Sequence, residues 1–294
     1  MAIAVDALPA VRSVSPTWAR FKDALRRHPT AIFGAAVLLA MIAVAIAAPL
    51  LGTVDPQAMS PVKRLRDPWG EYWFGTDMLG RDVYSRVVYG ARVSLTVGLA
   101  VAIFSTLAGL ALGLVTGFIR WVDAVVMRVM DGLMSIPPVL LAIALMALTK
   151  ASIENVIFAI TLSEVPRVTR LVRSLVLTLR EQPFVEAATA AGTGVARTLV
   201  RHILPNTVAP LLVQATYICA SAMITEAILS FIGAGTPLNI PSWGNIMAEA
   251  RSLFQLKPYL ILLPGIFLSL TVLAVNLLGD GLRDALDPRL ARRM

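Results

Sequence analysis

Long apolar stretches separated by shorter polar segments dominate this sequence. Six of them approach the roughly 20 residues that an α-helix needs to cross the hydrocarbon core of a membrane. They lie at Ala31–Leu51, Val93–Ile119, Ala124–Leu148, Ile153–Val172, Thr207–Ile232 and Tyr259–Leu278. The pattern predicts an all-α membrane protein, a bundle of six transmembrane helices. The fourth is expected to emerge into water before its helix ends, because charged residues lie along its second half, at Glu164, Arg167, Arg170 and Arg173.

Lysine and arginine residues concentrate in alternate polar segments. They are frequent in residues 1–30, in the loop at residues 174–205 and in the tail at residues 285–294. Cytoplasmic segments of membrane proteins carry such an excess of positive charge, and six spans place these three segments on one side. The sequence therefore predicts cytoplasmic termini, an extracytoplasmic loop at residues 52–92 and a five-helix core at residues 93–284.

The N-terminal segment contains a candidate surface helix at Pro16–His28. Its apolar side chains, Trp18, Phe21 and Leu25, share one side of a helix, and basic residues lie elsewhere. Helices of this kind lie on the anionic inner leaflet of a membrane, so we expect an interfacial helix in contact with lipid. A disordered basic leader is the alternative.

The composition agrees with a membrane protein, since 57% of the 294 residues are hydrophobic and 15% are charged. A soluble domain carries about 25% charged residues. The net charge of +8 does not indicate nucleic-acid binding, because the cations lie beside apolar segments and no aromatic residues alternate with them. The single cysteine, Cys219, excludes an intrachain disulfide and a Cys-x-x-Cys redox pair.

Sequence patterns for nucleotide binding and for hydrolysis are missing. No Gly-x-x-x-x-Gly-Lys-Ser/Thr phosphate loop, His-Glu-x-x-His or Gly-x-Ser-x-Gly occurs. The two histidines, His28 and His202, lie in separate polar segments. We therefore expect no catalytic residue, cofactor or metal in this chain. Any ATP that drives it, with its Mg²⁺, is expected on other subunits.

One polar segment between the fourth and fifth stretches has a distinctive pattern. It runs Glu186-Ala187-Ala188-Thr189-Ala190-Ala191-Gly192-Thr193-Gly194 and is followed by Arg197 and by Arg201-His202-Ile203-Leu204-Pro205. Alanines favour a compact helix, Gly192 and Gly194 allow the turn that ends it, and the basic residues suit a second short helix before Pro205 opens the next one. We call Glu186–Gly194 the knob and predict a stiff helical projection. An alanine-rich helix with a glycine cap and no partner is the alternative.

The first loop alternates acidic and basic residues. It contains the run Phe74-Gly75-Thr76-Asp77-Met78-Leu79-Gly80-Arg81-Asp82-Val83-Tyr84-Ser85-Arg86. These charges are close enough to pair, and the glycines allow tight turns. Trp69, Glu71 and Trp73 precede the run and are candidates for contact with another protein, since aromatic residues are common at interfaces. A loop that only seals the helix ends is the alternative.

The knob with His202-Ile203-Leu204-Pro205 resembles the coupling loop of ABC importer membrane subunits, whose pattern is Glu-Ala-Ala, three residues, Gly, and then His or Ile followed by x-Leu-Pro. The first-loop run, with Asp55-Pro56, resembles the peptide, opine and nickel branch of these permeases. Further similar stretches are Val125–Asp131 with Pro137-Pro138, Glu226–Gly233, Pro241–Gly244 and Asn276–Pro288. The last resembles the carboxyl end of the second, C-type permease of dipeptide and oligopeptide importers. Thr189 and Thr193 depart from the usual coupling loop, where bulkier or acidic residues are frequent.

The resemblance implies a type I importer-like bundle in the bacterial inner membrane. It implies that this chain and a second homologous permease form the path for dipeptides or oligopeptides, and that an extracytoplasmic binding protein delivers them. The importer would bind two ATP-binding subunits, and the coupling residues that dock on an ATPase subunit would be Glu186, Ala187, Ala188, Thr189, Gly192, Thr193, Gly194 and Arg197. Import of nickel or another small solute is the nearest alternative, and a membrane scaffold or signalling protein is the alternative from another class. Peptide length and the identity of the partners stay open.

Polar groups inside predicted spans are costly and are expected to face the bundle or a water-filled path. Glu226 lies in the fifth stretch and Asn276 in the sixth. For Glu226 we favour a hydrogen bond to a neighbouring helix or to the partner permease, with a place on the transport path or gate as the alternative. Asn276 is a candidate for the path or for helix packing. Arg128 and Asp131, three positions apart, are expected to pair with each other.

The second stretch carries Gly109, Gly113 and Gly117 at four-residue spacing. Such a ladder of small residues lets another helix approach closely. It predicts a tight helix contact and says nothing about a substrate.

Overall fold

The computed structural model describes residues 29–286, and the regular elements among them are helical. The α-helices are α1 (Pro29–Ala47), α2 (Val83–Phe118), α3 (Arg120–Met134), α4 (Pro138–Ala147), α5 (Ile153–Leu179), α6 (Pro183–Ala190), α7 (Val195–Thr198), α8 (Leu204–Phe231), α9 (Trp243–Ala250) and α10 (Tyr259–Leu286). A π-helical turn, Leu199–Ile203, joins α7 to α8. The predicted surface helix at residues 16–28 and the tail from residue 287 lie outside the described residues.

Helix α2 packs along α5, and the two run parallel. Three glycines of α2 each face one valine of α5, in the pairs Gly109 with Val168, Gly113 with Val172 and Gly117 with Val176. A Cβ atom added at Gly113 or Gly117 would lie 2.5 Å from the Cβ atom of its valine, so no larger residue fits without movement. The close contact predicted from the glycine ladder is confirmed.

Because α2 and α5 are parallel, the chain between them must return from the end of one to the start of the other. Helices α3 and α4 make this return, and their axes are bent by 88°. The span predicted at Ala124–Leu148 is therefore present only as this bent pair, with a break between Met134 and Pro138. Pro137 takes an extended conformation, with φ −54° and ψ 133°, and Pro138 opens α4. A proline disfavours helical backbone in the residue before it, so the helix breaks here.

Two predicted spans are longer in the structure. Helix α2 begins at Val83 rather than Val93, because the Asp82 carboxylate caps it by accepting a hydrogen bond from the Ser85 N–H at 2.8 Å. Helix α5 extends to Leu179 and keeps Pro166 within it. The first loop is accordingly shorter than predicted, and we call residues 51–82 the cap.

The short basic helix predicted before Pro205 is not a separate element. Helix α7, the π-helical turn and α8 form one continuous helix from Val195 to Phe231. A π-helical turn widens the spiral without ending it. Pro205 lies directly after this turn, in the first turn of α8, and has no N–H to donate to the helix before it.

The predicted pairing of Arg128 with Asp131 was also wrong. The Asp131 Oδ1 atom accepts a hydrogen bond from Arg170 Nη2 at 2.7 Å, and Asp123 Oδ2 accepts one from Arg173 Nη2 at 2.7 Å. Helix α3 lies beside α5, so these acids reach arginines of another helix instead of their own neighbour. The charged residues of α5, which we expected to lie in water, thus have protein partners.

Four helical stretches among residues 29–286 are long and apolar enough to cross a membrane, namely Pro29–Leu50, Val83–Phe118, Val195–Phe231 and Tyr259–Leu286. The bent pair of α3 and α4 makes a fifth if it counts as one span. Helix α5, the predicted fourth span, does not reach this standard of apolar composition. The structure is therefore that of a multi-pass helical membrane protein with four or five candidate spans.

Candidate functional site

The knob is a short helix closed by a glycine turn. Pro183 and Glu186 both lie in the first turn of α6. An acidic side chain at this end of a helix interacts favourably with the helix dipole. The N–H groups of Gly192 and Thr193 donate to Thr189 O at 2.9 Å and Ala188 O at 3.0 Å. Gly192 has φ +84°, a left-handed conformation that favours glycine.

Gly194 does not share this need for glycine. Its φ is −70°, and it precedes α7 in an extended conformation. We predicted that both glycines permit the turn, but only Gly192 takes a backbone conformation that other residues avoid. A Cβ atom added at either position would meet nothing within 4 Å, so space does not select glycine at Gly194.

Most of the knob faces outward. The exposed members of the predicted set are Glu186, Ala187, Thr189, Gly192, Gly194 and Arg197, and Ala188 and Thr193 are half-buried. Val185 is 2% exposed and anchors α6 to the rest of the protein. Phe184 and Val195 were not predicted; they are exposed apolar side chains that flank the knob, and an aromatic residue in a polar loop was the available signal.

The cap is organised around buried charges. Asp77 Oδ2 accepts hydrogen bonds from Arg81 Nε and Arg86 Nη1, each at 2.6 Å. Glu249 of α9 accepts from both arginines, at 2.7 Å from Arg86 Nη1. The predicted pairing of acids and bases is confirmed for Asp77. Glu249 was missed, because it lies far away in sequence.

The candidate contact residues of the cap lie on adjoining turns. The ring centres of Trp69 and Tyr72 lie 4.7 Å apart, and those of Trp73 and Tyr84 lie 4.8 Å apart. The Trp73 side chain is 62% exposed. Glu71 pairs with Lys63 at 2.8 Å, in an exposed position. The hydrogen bond to Glu71 raises the pKa of Lys63 above its usual value.

Glu226 lies in a buried polar cluster. Its side chain is fully buried, and Ser230 Oγ donates to its Oε1 at 2.8 Å. Ser230 Oγ also lies 3.3 Å from Thr236 Oγ1, which donates to Ser242 Oγ at 3.4 Å, whereas Glu226 Oε2 has no hydrogen-bond partner among residues 29–286. The cluster thus joins α8 to the chain that leads into α9, and Glu226 has no exposed surface.

Asn276 lies apart from this cluster. It belongs to α10 and is exposed, whereas Glu226 is enclosed by this chain alone.

Among residues 29–286, no group of three or more His, Cys, Asp and Glu side chains is arranged to hold a metal ion.

Comparison with known proteins identifies the family. Residues 105–292 match the family described as binding-protein-dependent transport system inner membrane component. The chain belongs to this family. Residues 17–68 match the N-terminal transmembrane domain of oligopeptide transport permease C. The chain is thus a multi-pass inner-membrane permease subunit of the C type, which the resemblance had predicted.

Several curated relatives span nearly the same length. The chain is 54% identical to a probable peptide ABC transporter permease, y4tQ, of Sinorhizobium fredii, over 91% of this chain and 92% of that protein. It is 42% identical to the dipeptide transport system permease DppC of Alkalihalophilus pseudofirmus, over 95% and 91%. It is 39% identical to the glutathione transport system permease GsiD of Escherichia coli, over 98% and 96%.

A solved structure shares the fold of the permease core. It is the MetNI methionine ABC transporter in inward-facing conformations, with a TM-score of 0.55 and 18% identity over 68% of this chain and 96% of that one. At this identity the likeness concerns the fold alone. It agrees with an ABC permease bundle.

Proposed function

We propose that this permease is one of two that form the path of an ATP-driven importer for dipeptides or oligopeptides. Relatives named as peptide, dipeptide and glutathione permeases support a peptide cargo, since glutathione is itself a tripeptide. The observation that carries the mechanism is the exposed knob. It lies beside the start of the 37-residue helix Val195–Phe231.

The knob and this long helix form a mechanical unit. Helix α6 contacts α7, and α7 continues without a break into α8. At 1.5 Å per residue the continuous helix is roughly 55 Å long, which exceeds the roughly 30 Å of a membrane's hydrocarbon core. Closure of two cytoplasmic ATPase subunits would move the knob, and the helix would carry that motion across the membrane.

The docking residues are those of the exposed turn. Glu186, Ala187, Thr189 and Gly192 present the outer surface of the knob, and Arg197 lies at its far side. Small side chains at Ala187 and Ala188 let a partner approach the helix backbone closely. Phe184 supplies an exposed ring at the edge, of the type that anchors interfaces.

ATP and Mg²⁺ are assigned to the ATPase partners. This sequence has no phosphate loop, so the chain's own contribution is movement between outward-facing and inward-facing states. The free energy of that movement comes from the different affinities of the two states for nucleotide. The permease is accordingly not an enzyme.

Helix α5 is proposed as the remaining span of a six-span bundle. Its parallel contact with α2 supports this placement, and its charged residues have protein partners that make burial in a membrane tolerable. Six crossings put both termini and the knob on one side. The basic segments identify that side as the cytoplasm.

The cap is proposed to receive the binding protein on the opposite side. Trp73 is exposed, and Trp69 and Glu71 lie on the neighbouring turn. Two connections hold the cap rigidly, the Asp77 cluster and an ion pair of Lys257 with Asp67. A rigid surface with exposed aromatic rings suits docking.

Glu226 is proposed to have a structural role. Its enclosure by serine and threonine hydroxyls suits a link between helices better than a place on the path. Asn276, which is exposed on α10, is the better candidate for the path or for the contact with the second permease.

Uptake of radiolabelled dialanine tests the proposed cargo. Cells that lack this chain are compared with cells in which it is restored, in the presence of the binding protein and both ATPases. Restoration is expected to return dialanine uptake, and unlabelled tripeptides should compete with it. Restored uptake of radioactive Ni²⁺ without dialanine uptake would instead support the nickel branch.

A further inference from the structure

Helix α5 carries a polar stripe that the rest of the described chain covers only in part, since Arg170 pairs with Asp131 of α3. Ser163, Arg167, Arg170 and Ser174 follow at spacings of four, three and four, which places them on one face of the helix. Ser163 and Arg167 are half-buried, and Arg170 and Ser174 are exposed. The opposite face of α5 bears the valines that pack on the glycines of α2.

The end of this stripe at Ser163 and Arg167 lies near the middle of the membrane. Val168 is level with Gly109 of α2, so Glu164, one turn earlier, is level with Ser105. The sequence has no charged residue between Arg92 and Arg120, and Ser105 lies close to the centre of that uncharged stretch. Glu164 and Arg167 therefore lie at the depth where a charge is most costly.

The Arg167 side chain contacts Glu164 and Tyr217 but stays partly exposed. Its Nη1 atom lies 3.2 Å from Glu164 Oε2, and its side chain is 38% exposed, compared with 5% for Glu164. Its guanidinium carbon lies 5.4 Å from the centre of the Tyr217 ring, which is itself half exposed. Nη1 is buried against Glu164 Oε2, and neither atom makes a well-directed hydrogen bond. The donors open to another group are therefore those of Nε and Nη2, on the exposed part of the guanidinium.

A half-exposed guanidinium cannot remain in lipid at the midplane, so this face must meet water or protein. The geometry points to the α5 stripe as a lining of the cytoplasmic half of the translocation path, with Arg167 contacting the carboxylate of the passing peptide. This inference rests on the proposed function. A guanidinium fork suits a carboxylate, and Glu164 offsets the positive charge, so the cargo is held briefly and then leaves.

Chemical accessibility tests the placement of Arg167. In the assembled importer, with Cys219→Ala as background, Arg167→Cys is compared with Phe158→Cys, which replaces an exposed apolar residue of the same helix. A cationic, membrane-impermeant thiol reagent needs a hydrated, ionisable thiol. We expect Arg167→Cys to react at least about tenfold faster than Phe158→Cys. Equal rates, or no reaction at Arg167→Cys, would overturn the placement.

Charge variants test the contact with cargo. Replacing Arg167 by Gln should lower ATP-driven uptake of trialanine by about tenfold or more, as expected for loss of a hydrogen bond to a charged group. Arg167→Lys should retain most of the uptake. The double variant Glu164→Gln with Arg167→Gln removes both charges and should stay as defective as Arg167→Gln. Recovery in the double variant would mean that Arg167 only neutralises Glu164, and would overturn the contact.

Wild-type uptake separates this inference from the proposed function. If the wild-type importer takes up trialanine but Arg167→Cys is unreactive or the double variant recovers, only the role of Arg167 fails. If the wild-type importer takes up no peptide, the proposed function fails first. Membrane levels of each variant, measured by immunoblot, exclude loss of the protein as the cause.

Discussion

Arg86, at the start of α2, and Glu249, in α9, lie 2.7 Å apart between Nη1 and Oε2, although 163 positions separate them. Asp77 of the cap holds the same Nη1 atom at 2.6 Å. One guanidinium with 1% exposure therefore joins the cap, α2 and α9. Removing Arg86 leaves two carboxylates to the single guanidinium of Arg81, and such an unbalanced buried charge is far more costly than the loss of a surface ion pair.

The first prediction concerns this cluster. Arg86→Met should destabilise the permease by about 3–5 kcal/mol, because Asp77 and Glu249 lose a buried partner. The measurement is the fraction of purified importer that stays monodisperse after graded heating in detergent. Lys63→Met, which removes the exposed pair with Glu71, is the matched control and should change little. Equal losses in both variants would contradict a structural role for the buried cluster.

The second prediction concerns the glycine ladder. A methyl group in Gly113→Ala would lie 2.5 Å from Val172 Cβ, so overpacking should cost roughly 1–3 kcal/mol. Gly132→Ala is the control, because its new Cβ atom would meet nothing within 4 Å. Thermal stability of Gly113→Ala equal to that of Gly132→Ala would contradict the α2–α5 register.

The third prediction concerns topology. In a Cys219→Ala background, a single cysteine at the exposed position Glu71 should react with a membrane-impermeant thiol reagent added to the outer face. A cysteine at the exposed knob residue Ala187 should react only after the inner membrane is opened. The opposite order of labelling would invert the proposed orientation. Cys219 itself is 5% exposed, so it contributes little background even before replacement.

Local sequence patterns predicted the features that depend on nearby residues. The apolar stretches located the helices, the spacing of Gly109 to Gly117 predicted the close helix contact, and the run around Asp77 predicted its ion pairs. The Pro137-Pro138 break was visible in sequence. The hydrophobic pattern does not reveal this break, because apolar residues continue on both sides of the two prolines and hydrophobicity alone does not show that a helix bends.

Contacts between distant segments could not be predicted in the same way. Nothing near Arg86 points to Glu249, and the spacing of Arg128 and Asp131 favoured a local pair over the actual one with Arg170. The stripe on α5 shows the same limit. Its charges led us to expect water at the end of the helix, whereas Arg170 and Arg173 pair with Asp131 and Asp123 of α3 and Arg167 lies beside Glu164.

The most direct test of the account measures peptide uptake and ATP hydrolysis together in proteoliposomes that hold the whole importer. The variants are Gly192→Val, which places a branched residue at φ +84°, and Gly194→Ala, at φ −70°. A side chain in the left-handed region costs about 1–2 kcal/mol, enough to distort the knob. The account predicts that Gly194→Ala transports normally and that Gly192→Val is inserted in the membrane but takes up far less trialanine for each ATP hydrolysed. Unchanged trialanine uptake per ATP in Gly192→Val would contradict coupling through the knob.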